Sequence, residues 1–543
     1  SRTSSGKPLL ANDMHLGFRI PGVWYQMHQI VQGKLNVTGV VLPGQPFIVC
    51  GHNDSIAWGL TNVMNDDIDF YRETLNPKDS NEYKLNGKWE QLTIKHEKIL
   101  IKGGDTARYD LKFTHRGPIV SMLKKLHNET ISMRWMGNEM SNELRSICLL
   151  NRAKNYADFC DAMKTFISIS QNAAYADTKG NIAMYCCAGV PIRKGNPIDV
   201  YPGDTSAYDW QGLVPFDQLP HKFNPGEGFA ISANNRTTDP GYPYYISDWF
   251  DLPFRYDRIY EMLNVGRKLS VNDMVNIQTD FTSKHVEYYL PRLVETLTKL
   301  KGLTSDELQA LQLLKEWHGK MDPNSSAPAI FEVFFNQFIK NVVKDELGDD
   351  LFKEFLVDKV IVRNTFYNIW NEKNSVLCDD VTTKNKTETF DDMILKSYRE
   401  TITTLEREQG DDVSAWEWGK IHTFTLEHPL GSVKILNMIL NLNRGPYETG
   451  GSFHTIAPYT YRYTDPFKVQ SGASQRHIYD LGDWDNSLSV LPAGNSGLPA
   501  SKHYSDQTSL YLAGKYHRDL FSEKIIRQNY LYRTIISPLK NRK

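Results

Sequence analysis

Serine at position 1 brings two reactive groups together on one residue. Its hydroxyl is a weak nucleophile alone, but a free α-amino group has a pKa of about 7.7–8.0 and can take the hydroxyl proton at neutral pH. Such a residue attacks a carbonyl without needing a histidine. A translated chain begins with Met, so Ser1-Arg2-Thr3-Ser4-Ser5 implies that an upstream segment was removed, by recombinant trimming or by natural cleavage. A second group is acidic, Asp66-Asp67-Ile68-Asp69. From the residues alone it reads as a solvated acidic turn, and calcium, which takes about 6–8 oxygen ligands, is the hard cation such a cluster could serve. Pairs such as Asp66 and Asp248 also keep a glycoside hydrolase open as a rival, since that chemistry needs two carboxyls about 5–9 Å apart. The six cysteines, Cys50, Cys148, Cys160, Cys186, Cys187 and Cys378, form no C-x-x-C pair and no metal-ligand spacing with histidine, which disfavours zinc.

The elements that must carry these groups fall into stretches. Up to about residue 136 the chain reads as strands and turns: Val37–Pro43, Phe47–Gly51, Ile56–Thr61, Ile68–Thr74, Tyr109–His115 and Ile131–Trp135, punctuated by Gly, Pro and Asn. Two amphipathic helices are expected between Asn142 and Thr165. Ala173–Ala176 and Ile182–Cys186 flank Asp177-Thr178-Lys179-Gly180-Asn181, a hairpin signature. From about 250 to 407 the pattern is mostly helical, with a capped start at Ser270 and helical spacing in Leu308–Trp317, Ile330–Val343 and Met393–Arg407, and with a polar loop at Asp379–Thr389. Strand signals return in His454–Tyr463 and Ser474–Leu481. Strands at both ends of a helical middle predict an α+β unit whose first and last strands share sheets.

The bulk properties narrow the class. The 543 residues are 40% hydrophobic and 23% charged, ordinary for a globular protein able to bury a large core. Lysine plus arginine (62) nearly balances aspartate plus glutamate (64), so no basic footprint for nucleic acid exists. No run approaches the roughly 18 apolar residues of a membrane span.

The blocks quoted next, taken together, carry a resemblance. Gly6-Lys7-Pro8-Leu9-Leu10-Ala11-Asn12-Asp13-Met14-His15-Leu16-Gly17 and Pro21-Gly22-Val23-Trp24-Tyr25-Gln26-Met27-His28 open the chain. Gly51-His52-Asn53-Asp54-Ser55-Ile56-Ala57-Trp58-Gly59-Leu60-Thr61-Asn62, Asp66-Asp67-Ile68-Asp69 and Ala233-Asn234-Asn235 follow in order. Pro492-Ala493-Gly494-Asn495-Ser496-Gly497 and His503-Tyr504-Ser505-Asp506-Gln507 lie near the end. The series strongly resembles the β chain of penicillin acylases and related N-acyl amidases. Met14 stands where many relatives have proline.

The resemblance implies a four-layer αββα N-terminal nucleophile hydrolase core with a helical insertion. It also implies a precursor that cuts itself, a shorter α chain from the same precursor as partner, and a periplasmic or secreted location. Ser1 takes the nucleophile's place, the backbone N–H of Asn62 and the side chain of Asn234 take the places of the oxyanion donors, and His15 stands beside the nucleophile. Two such donors are each worth about 3–4 kcal/mol when aimed at the developing charge. Arg258 matches an arginine that depresses the amine's pKa and anchors Asn234, with Arg255 three residues earlier as the alternative. A structural calcium ion is implied on the carboxylates of Asp66, Asp69 and Asp248 and the carbonyls of Ile68 and Pro197, completed by an α-chain glutamate. The acyl pocket is expected near Met14, Leu16, Trp24 and Val63–Met64. The expected activity is hydrolysis of N-acyl amides through an acyl-enzyme, with no organic cofactor. The alternatives are a non-catalytic binding protein on the same scaffold and the glycoside hydrolase.

Overall fold

Asn12 shows how the first strands are placed. Its side-chain amide donates to the carbonyl of Leu60 at 2.9 Å and accepts from the Leu60 N–H at 3.3 Å. This close approach requires residue 59 to be glycine, since a Cβ there would come within 2.6 Å of Asn12 Cβ. The strand Leu9–Asn12 is thereby clamped across the strand Ile56–Asn62. The computed structural model in which this is seen describes residues 2–121, 129–372 and 375–537.

Ile56–Asn62 is the central strand of a seven-stranded antiparallel sheet, running His221–Phe223, Ile182–Cys187, Gln171–Asp177, Ile56–Asn62, Cys50–Asn53, Leu35–Val41 and Tyr25–Val31. One face is covered by helices Glu143–Leu150 and Tyr156–Met163, whose Ile147, Leu150, Phe159 and Met163 pack against Val37, Val40, Trp58 and Ala173. Both helices start on asparagine caps, Asn142 and Asn155, each accepting a first-turn N–H. The other face meets a four-stranded sheet, in the order Leu9–Asn12, Arg476–Asp480, Leu488–Val490 and His517–Arg518, through Leu10, Ala57, Ala176 and Tyr479. On that sheet's far side lies helix Val271–Gln278, with Met274 and Ile277 against Ile478. Its start is the Ser270–Asp273 capping box, in which each side chain bonds the other residue's N–H. First and last strands do share sheets: Leu9–Asn12 pairs with Arg476–Asp480, and His15–Gly17 pairs with the end of Asp465–Ala473.

From Phe254–Leu263 to Phe390–Gln409 the chain is helical around its own core. The centre is Ser326–Phe355, buried on all sides at Ile330, Phe331, Phe334, Phe335 and Phe338, as a helix apolar all round must be. Gly348, at φ 69°, breaks its helical course. Several elements differ from the sequence reading at their ends. Phe47–Val49 does not join the strand Cys50–Asn53, and of His454–Tyr463 only Tyr459–Arg462 is strand. Apolar runs there mark burial, and burial alone does not separate a strand from a packed loop. Among the described residues no helix is long and apolar enough to cross a membrane.

Candidate active site

The strand Ile56–Asn62 ends at Asn62, where the backbone turns sharply: Met64 lies at φ 63°, and its N–H is capped by Asn62 Oδ1 at 2.7 Å. The Asn62 side chain is thus committed to the turn, leaving its main chain facing the neighbouring loop. That loop carries Asn234, itself at φ 63°. Asparagine tolerates this left-handed conformation better than most residues. Ser232 ties the loop to the sheet, accepting from Thr61 Oγ1 at 2.8 Å and from Asn172 Nδ2 at 3.1 Å.

Asn234 Nδ2 donates one hydrogen to the Asn62 carbonyl at 2.9 Å. A primary amide has two N–H donors, so the second remains for a ligand beside Asn62. The orientation is set from the other side: Arg255 Nη2 donates to Asn234 Oδ1 at 2.8 Å and to the Ala233 carbonyl at 2.8 Å. Sequence reasoning placed this anchor at Arg258, and the structure corrects that. Arg258 faces away, with Nε on Asp280 at 2.7 Å and Nη1 on Glu261 at 3.0 Å. Arg255 lies in the first turn of helix Phe254–Leu263, which abuts the Asn234 loop, while Arg258 is carried nearly a full turn further along.

His15 is brought to the same arginine by the pairing of His15–Gly17 with Asp465–Ala473. Its Nδ1 is 3.3 Å from Arg255 Nη1. A guanidinium only donates, so Nδ1 accepts and the neutral imidazole carries its proton on Nε2, 3.5 Å from Asp13 Oδ2. Burial lowers the imidazole's pKa first, Asp13 opposes, and Arg255 reinforces the decrease, so His15 is neutral at pH 7. The structure therefore gathers Asn62, Asn234, His15 and Arg255. Ser1 lies outside the described residues. Arg2 and Ser4, next to it, zip onto the backbone of Leu269, and Arg2 Nη2 donates to the Leu263 carbonyl at 2.7 Å. A cavity of about 610 Å³ runs from Arg2 past Asn12 and Asp13 to Thr61 and Ser232.

Of the expected acyl-pocket residues, Trp24 and Val63 are buried and cluster with Met14, Met64, Phe47 and Val49. Cys50, buried and missed from the sequence, has Sγ 3.6 Å from Met14 Sδ. Leu16 lies outside this buried cluster and is 40% exposed.

The family model for penicillin amidase matches residues 1–528. The chain belongs to the penicillin amidase family. It is 28% identical over 563 residues to the acyl-homoserine lactone acylase QuiP of Pseudomonas aeruginosa, covering 95% of this chain and 65% of that protein. It is 28% identical over 515 residues to the penicillin acylase 2 proenzyme of Pseudomonas sp. (strain SE83), covering 94% and 64%. The chain therefore spans about 65% of the length of these relatives. In fold it matches a thermostable penicillin G acylase from Alcaligenes faecalis with a TM-score of 0.75 at 19% identity, over 99% of this chain and 98% of that one.

The calcium ligands implied for a penicillin amidase do not form a cage here. Both carboxylate oxygens of Asp69 accept from Arg193 Nε, at 3.1 and 2.8 Å, and Oδ2 also accepts from Trp210 Nε1. Arg193 Nη2 reaches the Asp66 carbonyl at 2.8 Å and lies 3.6 Å from Asp66 Oδ1, while Asp66 Oδ2 accepts from Tyr245 at 3.1 Å. Burial pushes the Asp66 carboxyl up, against Arg193. Asp248 is more than half exposed and 3.9 Å from Arg236. A fixed guanidinium thus sits among the acids and uses the lone pairs a divalent ion needs. As placed, the carboxylates of Asp66 and Asp69 face Arg193 and that of Asp248 faces Arg236, so these three do not gather as a calcium cage. Spacing showed the acids, but Arg193 is 124 residues from Asp69, beyond any local pattern. Arg193→Met is expected to cost about 3–5 kcal/mol, because it strands a buried carboxylate. Chelation with EDTA is expected to leave the Tm unchanged in thermal melts, and a marked fall on chelation would overturn this reading.

Proposed function

We propose that this chain is the catalytic β chain of a self-processed hydrolase that cleaves N-acyl amides with apolar acyl groups through an acyl-enzyme on Ser1. The observation that carries the reading is the Asn234 amide, held by Arg255 on its oxygen and by the Asn62 carbonyl on one hydrogen. That leaves one aimed N–H in a half-buried recess beside the Asn62 backbone. The amine of Ser1, directly or through one water, takes the hydroxyl proton as the oxygen attacks the amide carbonyl. The Asn62 N–H and the free Asn234 N–H hold the oxyanion. The amine then hands its proton to the leaving nitrogen, and water activated by the same amine releases the acid. Neutral His15, its Nε2–H toward Asp13, supports the nucleophile without competing for its proton.

The helix, sheet, sheet and helix layering around Ile56–Asn62 supports reading the core as the αββα arrangement of an N-terminal nucleophile hydrolase. The relatives' names supply two acyl classes, the penicillin side chain and the acyl-homoserine lactones. An acyl site drawn from the apolar cluster of Met14, Trp24, Val63 and Met64 would suit either. The length of the relatives, one of them named a proenzyme, supports a shorter α chain from the same precursor as partner. A periplasmic or secreted location belongs to the same reading and rests on the family alone.

The test uses the two-chain enzyme with p-nitroanilides of graded acyl length and with phenylmethylsulfonyl fluoride. Turnover should peak at one acyl length, and inactivation should place one sulfonyl group on residue 1 by peptide mass mapping. Labelling elsewhere, or no turnover across the panel, would sink the proposal.

A further inference from the structure

Arg255 is a long side chain, and an arginine holds one geometry only if something holds the arginine. Asp251 does so. Its Oδ2 accepts from Arg255 Nη2 at 2.8 Å, and its Oδ1 accepts from Arg363 Nη2 at 2.6 Å. The Asp251 backbone also donates to the Asn234 carbonyl at 3.0 Å, so this residue holds Asn234 directly by its main chain and indirectly through Arg255. Arg363 belongs to helix Lys359–Asn371 of the helical block, more than 100 residues from Asn234 in sequence, and its side chain is only 4% exposed. It is fixed in turn by its own Nε on the Lys359 carbonyl at 2.9 Å and by the Phe453 ring, 5.3 Å from its guanidinium. His285 and His454 feel the Arg363 charge and stack on each other at 4.2 Å, with Phe254 edge-on to both. Burial keeps both imidazoles neutral, with Arg363 adding to the effect for each, so they add no charge there.

We propose that Arg363 and Asp251 are positioning residues for the reaction: a buried line Arg363–Asp251–Arg255 from the helical block sets the orientation of the Asn234 amide and the tautomer of His15. This rests on the functional reading above. The helical insertion then belongs to the active site, although none of its side chains beyond Arg255 needs to touch substrate. A transition-state donor misplaced by a fraction of an ångström loses rate while ground-state binding persists, so the effect should fall on kcat. The charges facing Asp251 are Arg255 on helix Phe254–Leu263 and Arg363 and Lys359 on helix Lys359–Asn371. Burial works to raise the Asp251 carboxyl, yet these three cations, Arg363 foremost, hold it below the usual carboxylate range. Losing Arg363 should therefore let Asp251 protonate at higher pH and carry the acid limb of kcat upward with it.

The test compares Arg363→Gln, Arg363→Lys and Asp251→Asn in the complete two-chain enzyme, with rates normalised to active sites titrated by phenylmethylsulfonyl fluoride. Arg363→Gln and Asp251→Asn should lower kcat about 10–100-fold with KM within about twofold. Arg363→Gln should also move the acid limb of the kcat profile to higher pH. Arg363→Lys, which keeps a cation, should recover most of the rate and the wild-type limb. Arg116→Gln is the control, since Arg116 is equally buried and paired, with Glu73 and Asp209, away from this site. It should lower Tm with kcat within about twofold. If Arg363→Gln keeps full kcat, or if Arg116→Gln loses as much, the line does no positioning. Should Arg363→Gln fail to fold, Arg363→Lys and Asp251→Asn decide by the same kcat and KM readings. Ser1→Ala in the same series separates the two levels: turnover without Ser1 ends the functional reading, whereas its loss beside an unaffected Arg363→Gln ends only this proposal.

Discussion

Ser1→Ala, produced with the two chains encoded separately so that maturation needs no cleavage, is expected to lower kcat on an N-acyl anilide by a factor on the order of 10⁶. Deleting the nucleophile removes covalent catalysis altogether, and what persists comes from oxyanion donors and binding alone. The hydroxyl is the only group lost. Circular dichroism and Tm should match the parent, so that a dead enzyme is not mistaken for an unfolded one. Turnover within tenfold of the parent would remove Ser1 from the mechanism and the present account with it.

Asn234→Ala should cost about 10²–10³ in kcat, or about 3–4 kcal/mol, with KM within about twofold. The donor acts where charge develops, so its deletion weakens the transition state and leaves the bound substrate little changed. Asn234→Asp is the sharper variant. It replaces the donor by a carboxylate that can only accept, beside an oxyanion and drawn into a salt bridge with Arg255, which already touches Oδ1 at 2.8 Å. It should fall at least as far as Asn234→Ala. Steady-state kinetics on both variants checks this, and a loss seen in KM alone would place Asn234 in ground-state binding.

Much of the strand framework was legible because its determinants are local. Ile56–Asn62 and Ile182–Cys187 are short apolar runs that follow the turn residues Asp54-Ser55 and Gly180-Asn181, and Ser270 with Asp273 writes a capped helix start into four positions. The short strands Leu9–Asn12 and His15–Gly17 carry no such pattern. They are strands because distant Arg476–Asp480 pairs with the first and Ala473 supplies a partner for His15. Likewise the pair Arg255 and Arg258 looks symmetric in sequence. Each could reach Asn234 until the packing of helix Phe254–Leu263 turns one toward the loop and the other toward Asp280.

By itself the sequence determined the family to expect, because the ordered blocks around Asn62 and Asn234 are properties of residue identity and order. It also determined which segments would be strand or helix wherever apolar period and caps agree. Only the tertiary structure decided which arginine anchors Asn234, that Arg193 lies among Asp66 and Asp69, and that helix Lys359–Asn371 reaches the site through Asp251. The physical reason is range. Backbone preferences and side-chain period act over a few residues, whereas a buried charge is satisfied by whichever partner the packed chain delivers, at 124 residues' separation for Asp69 and 112 for Asp251.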